Sequence, residues 1–508
     1  MSRLADSLNG TSCKRDVTRL EQQACQPGAN AHAIRVAAKN EGLAGGRANV
    51  RDCAGLSDCC CWRNSDPGKS PVNIGPRTRH GVCNPPCIDH CPGALPMTEH
   101  HVINPLSIGV DYPTLAARFR PIFQRIADGA VQRELSRTLP HEPIQWLKEA
   151  GFGAVRVPVE YGGGGASLPQ LFELLIELAE ADSNVPQALR GHFAFAEDRL
   201  NAPPSAGRDL WFKRFVDGDI VGCAWTEIGN VAIGDVVTQV SPDGDKWKLN
   251  GEKFYSTGSI FSDWIDVYAQ RSDTGGDVIA ATRARQPGVV HSDDWDGFGQ
   301  RTTGSGTSRF TDAEVEADNV IDFATRFKYQ TAFYQLVLLA SLAGIGRAAL
   351  RDVAHQVRSR KRIYSHGNAP HVSQDAQVQQ VVGEVAALVY AAQASALRAT
   401  WPAQRAYVAR FGGDDAVERE ANVAAEIESA TAQVVVSDLI QRATSQLFNA
   451  LGASDVRQGK ALDRHWRNAR TVSSHNPVIY KARIVGDWVI NGTEPPFVWQ
   501  IGNGPAKH

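Results

Sequence analysis

The hydrophobic period of this chain changes twice, and that order restricts its fold more than any single motif. From about 105 to 222 apolar residues recur at helical spacing. Leu115, Phe119, Ile122, Phe123 and Ile126 form one stripe, and Leu168, Leu171, Leu174, Leu175 and Leu178 form another. Near residue 223 the period shortens to two. Alternating runs through Val237, Gln239, Trp247, Leu249 and Phe254, then 264–270, 277–284 and 308–316, read as strands, with Asp243-Gly244 and Asn250-Gly251 as turn signals. Long helical patterns return over 333–357, 374–399 and 415–450, as expected of an antiparallel bundle. The expectation is an α+β chain with a helical domain over 97–222, a β-domain over 223–325 and a helical bundle with a tail over 326–508.

Residues 1–96 follow another rule. They are rich in Gly, Pro, Arg, Asn and Cys, show no sustained period, and hold every cysteine except Cys223. Three readings fit: a disordered extension, a small metal module, or an upstream reading frame included by too early a start codon. Cys83, Cys87, His90 and Cys91 are zinc-ligand types, but their spacing matches no structural zinc pattern, and no metal is expected.

Charge excludes some partners. Lys and Arg total 53 against 55 Asp and Glu, with no dominating basic run, so nucleic acid is not expected. There is no run of 18 consecutive apolar residues and no apolar signal segment at the N-terminus, which predicts a cytoplasmic protein without a membrane partner. Two glycine-rich stretches mimic phosphate sites. Gly162 to Gly165 lacks a strand–loop–helix setting and reads as a plain loop. Gly344-Ile345-Gly346 lies inside an apolar helix, where small residues permit close packing. With no nicotinamide site evident, reducing equivalents for a redox reaction must arrive on another carrier.

Three blocks in a fixed order carry a resemblance. VPVEYGGGGASLPQLFELLIELAEAD (157–182), WKLNGEKFYSTGSIFSDWIDVYA (247–269) and LDRHWRNARTVSSHNPVIYK (462–481) are similar to blocks of the acyl-CoA dehydrogenase family, and the likeness covers nearly all of 105–490. It implies an acyl-CoA dehydrogenase-like fold with an N-terminal helical domain, a middle β-barrel and a C-terminal four-helix bundle, assembled as a homotetramer. In dehydrogenases of this family an Arg-Asp-Ala-Arg block precedes a Glu that removes the substrate's α-proton. Here Arg467-Asn468-Ala469-Arg470 is followed by Asn476 at the Glu position, and an amide cannot take up a proton near neutral pH.

Trp466-Arg467-Asn468-Ala469-Arg470-Thr471 followed by His475-Asn476-Pro477-Val478 instead resembles the flavin-dependent monooxygenase branch that includes the dibenzothiophene monooxygenases. The resemblance implies a two-component enzyme. Reduced FMN from a separate NAD(P)H:flavin reductase reacts with O2 and oxygenates a small apolar substrate, organosulfur compounds included; an FAD-dependent acyl-CoA dehydrogenase is the alternative. It places His475 over the flavin as the group that manages the peroxide, with Thr257 as a hydroxyl partner; His192 matches a residue on the substrate side, but as a lone His on an apolar helix it reads equally as a satisfied core residue. Trp225 and Thr226 would meet the ring. Arg360 and Arg362 would reach the phosphate of a neighbouring subunit's flavin, with Arg467 either in support or paired with an acid such as Asp463. The chain departs from these relatives at Val472, Cys223 and Ala196, where they carry His, Asn and Tyr, so the resemblance does not carry substrate identity over.

Overall fold

The computed structural model describes residues 110–499 apart from 228 and 230, together with 502 and 504. The expectations for 1–96, the Cys83–Cys91 cluster among them, lie outside the described residues.

The first helices are α1 (Tyr112–Ser136), α2 (His141–Glu149), α3 (Leu168–Ala181), α4 (Asn184–Ala188), α5 (Arg190–Asn201) and α6 (Ala206–Val216). Each starts where local chemistry permits. Asp111 accepts the Thr114 amide N–H ahead of α1, and Ser167 and Gln170 form a reciprocal capping box at α3. Gly162 and Gly165 both take positive φ in the loop before α3.

Eight strands follow: β1 (Val221–Ala224), β2 (Gln239–Asp243), β3 (Lys246–Lys253), β4 (Trp264–Arg271), β5 (Asp277–Arg283), β6 (Val289–His291), β7 (Ser308–Glu316) and β8 (Val320–Asp322). They form one mixed sheet in the order β6-β7-β3-β2-β4-β5-β8, with β1 parallel to β4. Among the described residues no ladder joins β6 to β8, so strand pairing does not close the expected barrel, although β5 and β7 meet where Thr282 Oγ1 donates to the Glu314 carbonyl at 3.0 Å. The two end strands have three residues each, too little edge to close it. A second correction concerns Asn250-Gly251. Gly244 does turn the chain between β2 and β3, but Gly251 lies within β3 at a bulge, where a Cβ would overlap the Thr238 side chain.

Strands β4 and β5 are buried on both sides, and their alternation feeds two cores. Ile265, Val267, Ala269, Val278 and Ala280 pack within the β-layer, whereas Trp264, Ile279 and Ala281 join the helical core. Asp266, in register with Trp264, therefore faces the helices, a charged group that needs an answer there.

The chain ends in α7 (Gln330–Ser359), α8 (Ala376–Arg398), α9 (Thr400–Ala409), α10 (Asp415–Gln446), α11 (Asp463–Ser474) and α12 (Val478–Asn491). Helix α7 is central and touches α3, α8, α10 and α11. A Cβ at Gly344 would overlap Ala179, so the glycine lets α7 lie against α3; the stretch that mimics a nucleotide motif is packing. Gln330–Ser359 and Ala376–Ala409 are long and apolar enough to cross a membrane by length and composition. The first has 83% of its apolar window buried within the protein, the second only 22%.

Candidate active site

A cavity of about 560 Å³ opens where the sheet, α5, the start of α7 and the end of α11 converge. That is ample for a flat heterocyclic ligand. Its walls are aromatic: Trp225, Tyr255, Trp295, Phe298, Tyr334 and Trp499. Strand β1 delivers Cys223, Trp225 and Thr226 to it. Trp225 is fixed rather than loosely packed. Its indole N–H donates to Asp266 at 2.9 Å, the Arg326 guanidinium lies 4.6 Å from its ring, and Arg326 donates to the same carboxylate at 3.0 Å. The Asp266 carboxylate that the sheet turns toward the helices is thus answered, although burial pushes its pKa up.

Glycines bring the pieces close. A Cβ at Gly191 would meet Cys223, and one at Gly222 would overlap Ser259, so α5, β1 and the 255–259 segment approach more tightly than larger residues allow. Tyr255 holds a left-handed φ of 59° on the cavity wall, a conformation costing roughly 1–2 kcal/mol for a residue with a Cβ.

A hydroxyl relay sets the character of Thr257. The hydroxyls of Thr303, Ser305 and Thr257 are linked at 2.7 and 2.8 Å, with the Gln300 carbonyl 3.0 Å from Thr303 at one end and the Tyr255 carbonyl 3.3 Å from Thr257 at the other. In either direction of the relay Thr257 gives its proton to a protein acceptor, Ser305 Oγ or the Tyr255 carbonyl. With its proton used in this way, buried Thr257 presents lone pairs, an acceptor, to the cavity.

His475 follows the last residue of α11. Its Nδ1 lies 3.2 Å from Asn476 Oδ1, which can only accept, and Asn476 is oriented by donating from Nδ2 to Gln335 Oε1 at 2.8 Å. The proton therefore sits on Nδ1, and a neutral ring leaves Nε2 bare. By accessible surface His475 is exposed and lines the cavity, while the protein atoms packed around its ring take away much of its hydration. This desolvation, with the Arg190 charge nearby, pushes the imidazole down to about 3. Protonation of the ring is thereby disfavoured, and the neutral tautomer set by Asn476 offers Nε2 to the cavity as an acceptor.

Family models for the acyl-CoA dehydrogenase N-terminal domain and C-terminal domain match residues 116–205 and 336–479. In both domains the chain is similar to the acyl-CoA dehydrogenase superfamily, and it has that superfamily's fold. The chain is 26% identical to a dibenzothiophene monooxygenase of Mycolicibacterium goodii over 72% of this chain and 91% of the relative. It is 27% identical to the probable FMNH2-dependent monooxygenase SfnC of Pseudomonas putida, over 75% and 96%. The crystal structure of FMN-bound TdsC from Paenibacillus sp. A11-2 superposes with a TM-score of 0.68 at 28% identity, over 75% of this chain and 98% of that one.

Of the residues singled out in the superfamily's pattern, the cavity gathers Trp225, Thr226, Thr257 and His475. Four others lie elsewhere. His192 is buried in the core. Its Nδ1 accepts from the Val221 N–H at 3.2 Å, so Nε2 donates to the Gly153 carbonyl at 2.8 Å, and burial lowers its pKa to about 4. A catalytic His192 is thus replaced by one that ties α5 to β1. Arg467 is engaged within the chain, bonded to Glu134 and Asp463 at 2.7 Å and to the Phe298 carbonyl at 2.9 Å; it braces the aromatic loop rather than offering a free fork to a phosphate. Arg360 lies over Tyr364 beside Gly452, and Arg362 is exposed, neither lining the cavity.

Sequence reasoning missed Arg190, Gln187, Ser305 and the aromatic walls from Trp295, Phe298 and Tyr334. An arginine two residues before His192 in an apolar segment was the available signal.

Proposed function

We propose that this chain is a two-component flavin-dependent monooxygenase. Reduced FMN made by a separate NAD(P)H:flavin reductase enters the cavity, and a small substrate, organosulfur compounds first among the candidates, is oxygenated at the expense of O2. One observation carries this reading: among the described residues lining the cavity there is no Asp or Glu. Dehydrogenation of an acyl thioester requires a base for the α-proton, and a carboxylate is the family's usual means. The residue at that position, Asn476, is an amide that orients His475.

The residues present suit the cofactor. The aromatic walls match a flat ring, and the accepting Thr257 suits reduced flavin, which carries an N–H at N5 that the oxidised form lacks. When bound, reduced flavin supplies two electrons and two protons, so that one oxygen atom of O2 goes to the substrate and the other leaves as water. The chain's own contribution is placement, exclusion of water and control of one proton. Trp225, held by Asp266 and Arg326, fixes the wall behind the ring. The aromatic side chains keep water from the reacting centre. His475 Nε2 accepts a hydrogen bond from the proton at the reacting centre, in a site that keeps the ring neutral. FMN is preferred to the alternative FAD on the names of the relatives. Arg360 and Arg362 belong in this reading to a neighbouring copy's phosphate site in a homotetramer, whose contacts would cover the open apolar side of Ala376–Ala409.

The test uses purified protein, titrated anaerobically with reduced FMN and then mixed with O2 and methyl phenyl sulfide. Sulfoxide formed in step with O2 consumption supports the proposal. Retained yellow FAD that an acyl-CoA bleaches, with no sulfoxide formed, would replace it with dehydrogenation.

A further inference from the structure

Arg190 is the one cation among the described cavity-lining residues apart from the neutral His475, and no carboxylate answers it. It is 9% exposed, yet it makes no ion pair with any described Asp or Glu, and its Nε has no hydrogen-bond partner. Its guanidinium lies 5.1 Å from the Tyr334 ring and hydrogen-bonds the uncharged Cys223 thiol, so its charge meets no anion, and that charge also acts on His475. One turn earlier Gln187, 6% exposed, also lines the cavity with its Oε1 unpartnered. Leaving a buried cation and a buried amide unanswered is costly unless a ligand completes them. Both come from one short stretch, 187–190, and both line the cavity that His475 lines, with the Arg190 charge close enough to act on that ring.

We propose that Arg190, assisted by Gln187, anchors a substrate that carries an oxyanion, such as a sulfinate or carboxylate, while the apolar remainder lies against the aromatic walls. This deepens the monooxygenase reading and rests on it for the identity of the reacting partner. The flavin's own phosphate is the competing anion. It is attached through the ribityl chain, on the side of the ring away from the reacting edge, so a phosphate at Arg190 would draw that edge away from His475. A guanidinium fork suits two oxygens of one anionic head, and Gln187 can turn its amide to donate to either.

The probes are benzenesulfinate and its neutral counterpart methyl phenyl sulfone. Equilibrium binding to the protein loaded anaerobically with reduced FMN is read from tryptophan fluorescence. Wild type should bind the sulfinate at least about tenfold more tightly than the sulfone. Arg190→Gln should erase that preference, a loss of about 10- to 100-fold for the anion with little change for the sulfone, and Arg190→Lys should restore part of it. Affinity for reduced FMN, titrated in parallel, should be retained in Arg190→Gln. The anchor is overturned if wild type does not prefer the anion, a comparison that requires no variant to fold. It is equally overturned if Arg190→Gln weakens both probes alike, or if reduced FMN binding falls with the anion's. Sulfinate bound through Arg190 but never oxygenated would keep the anchor and defeat the monooxygenase reading, which separates the two failures.

Discussion

Buried charge is treated in opposite ways in the helical core and in the cavity. In the core, Arg156 and Glu197 are both completely inaccessible, and they form a forked pair at 2.8–3.0 Å that Tyr329 joins at 2.5 Å. Beneath the cavity, Arg326 meets Asp266 through a single bond at 3.0 Å, and the two grip Trp225. Inside the cavity, Arg190 has no anion, Gln187 has an idle oxygen, and the His475 ring faces open space with a bare nitrogen. The chain can evidently supply carboxylates to buried arginines where the fold requires them. Their absence from the cavity marks its polar groups as reserved for what enters.

The most forceful way to break this contrast is Glu197→Ala. It strands a fully buried guanidinium and should cost about 3–5 kcal/mol in denaturant unfolding. A loss below about 1 kcal/mol would mean that core pairs matter no more than cavity groups. Next in size is His475→Ala. If Nε2 handles a proton at the reacting centre, sulfoxide formation should fall about 10²- to 10³-fold, within the range for a positioned acid–base group. Hydrogen peroxide released per O2 should rise. An unchanged ratio of product to peroxide would remove His475 from the chemistry.

How far these regions could be read from sequence differs for physical reasons. Helical and strand periods are local, so α3, α7 and the β-block were legible from residues such as Leu171, Gly344 and Val267. Sheet closure depends on whether two end strands meet, which no local pattern records; hence the barrel expectation for a sheet ending in three-residue edges. Asn250-Gly251 carries a turn signature, but Thr238 across the strand decides in favour of a bulge. His475 was legible because its motif is contiguous. His192 and Arg190 were confused because residues two apart on a helix point about 200° apart, and sequence alone does not say which direction holds the cavity. Arg467 suggested a phosphate ligand until Glu134, 333 residues away, claimed it.

The pH dependence of stability should follow the core, where His192 is held neutral. Burial lowers its folded pKa to about 4 from an ordinary 6.5. Between those values the unfolded chain binds the extra proton and the folded chain does not, so stability is complete above about 6.5 and is lost as pH falls toward 4. At about 1.4 kcal/mol per unit, His192 should contribute roughly 2–3 kcal/mol to that decline. His192→Gln, which keeps a donor for Gly153 but cannot titrate, should flatten the slope in denaturation midpoints measured from pH 4.5 to 7. An unaltered slope would place the acid sensitivity elsewhere.

The smallest effect has the most diagnostic sign. Arg190→Met keeps an unbranched stem against Tyr334 and removes an unpaired buried cation. If that cation is held for a ligand, the flavin-free protein should gain about 0.5–2 kcal/mol in thermal or denaturant unfolding, the familiar exchange of stability against function at a binding site. Glu197→Ala and Arg190→Met would then move stability in opposite directions, although both alter a charged group buried in the same protein. If Arg190→Met instead destabilises as Glu197→Ala does, the guanidinium is bracing Tyr334 and Cys223, and the contrast between core and cavity collapses.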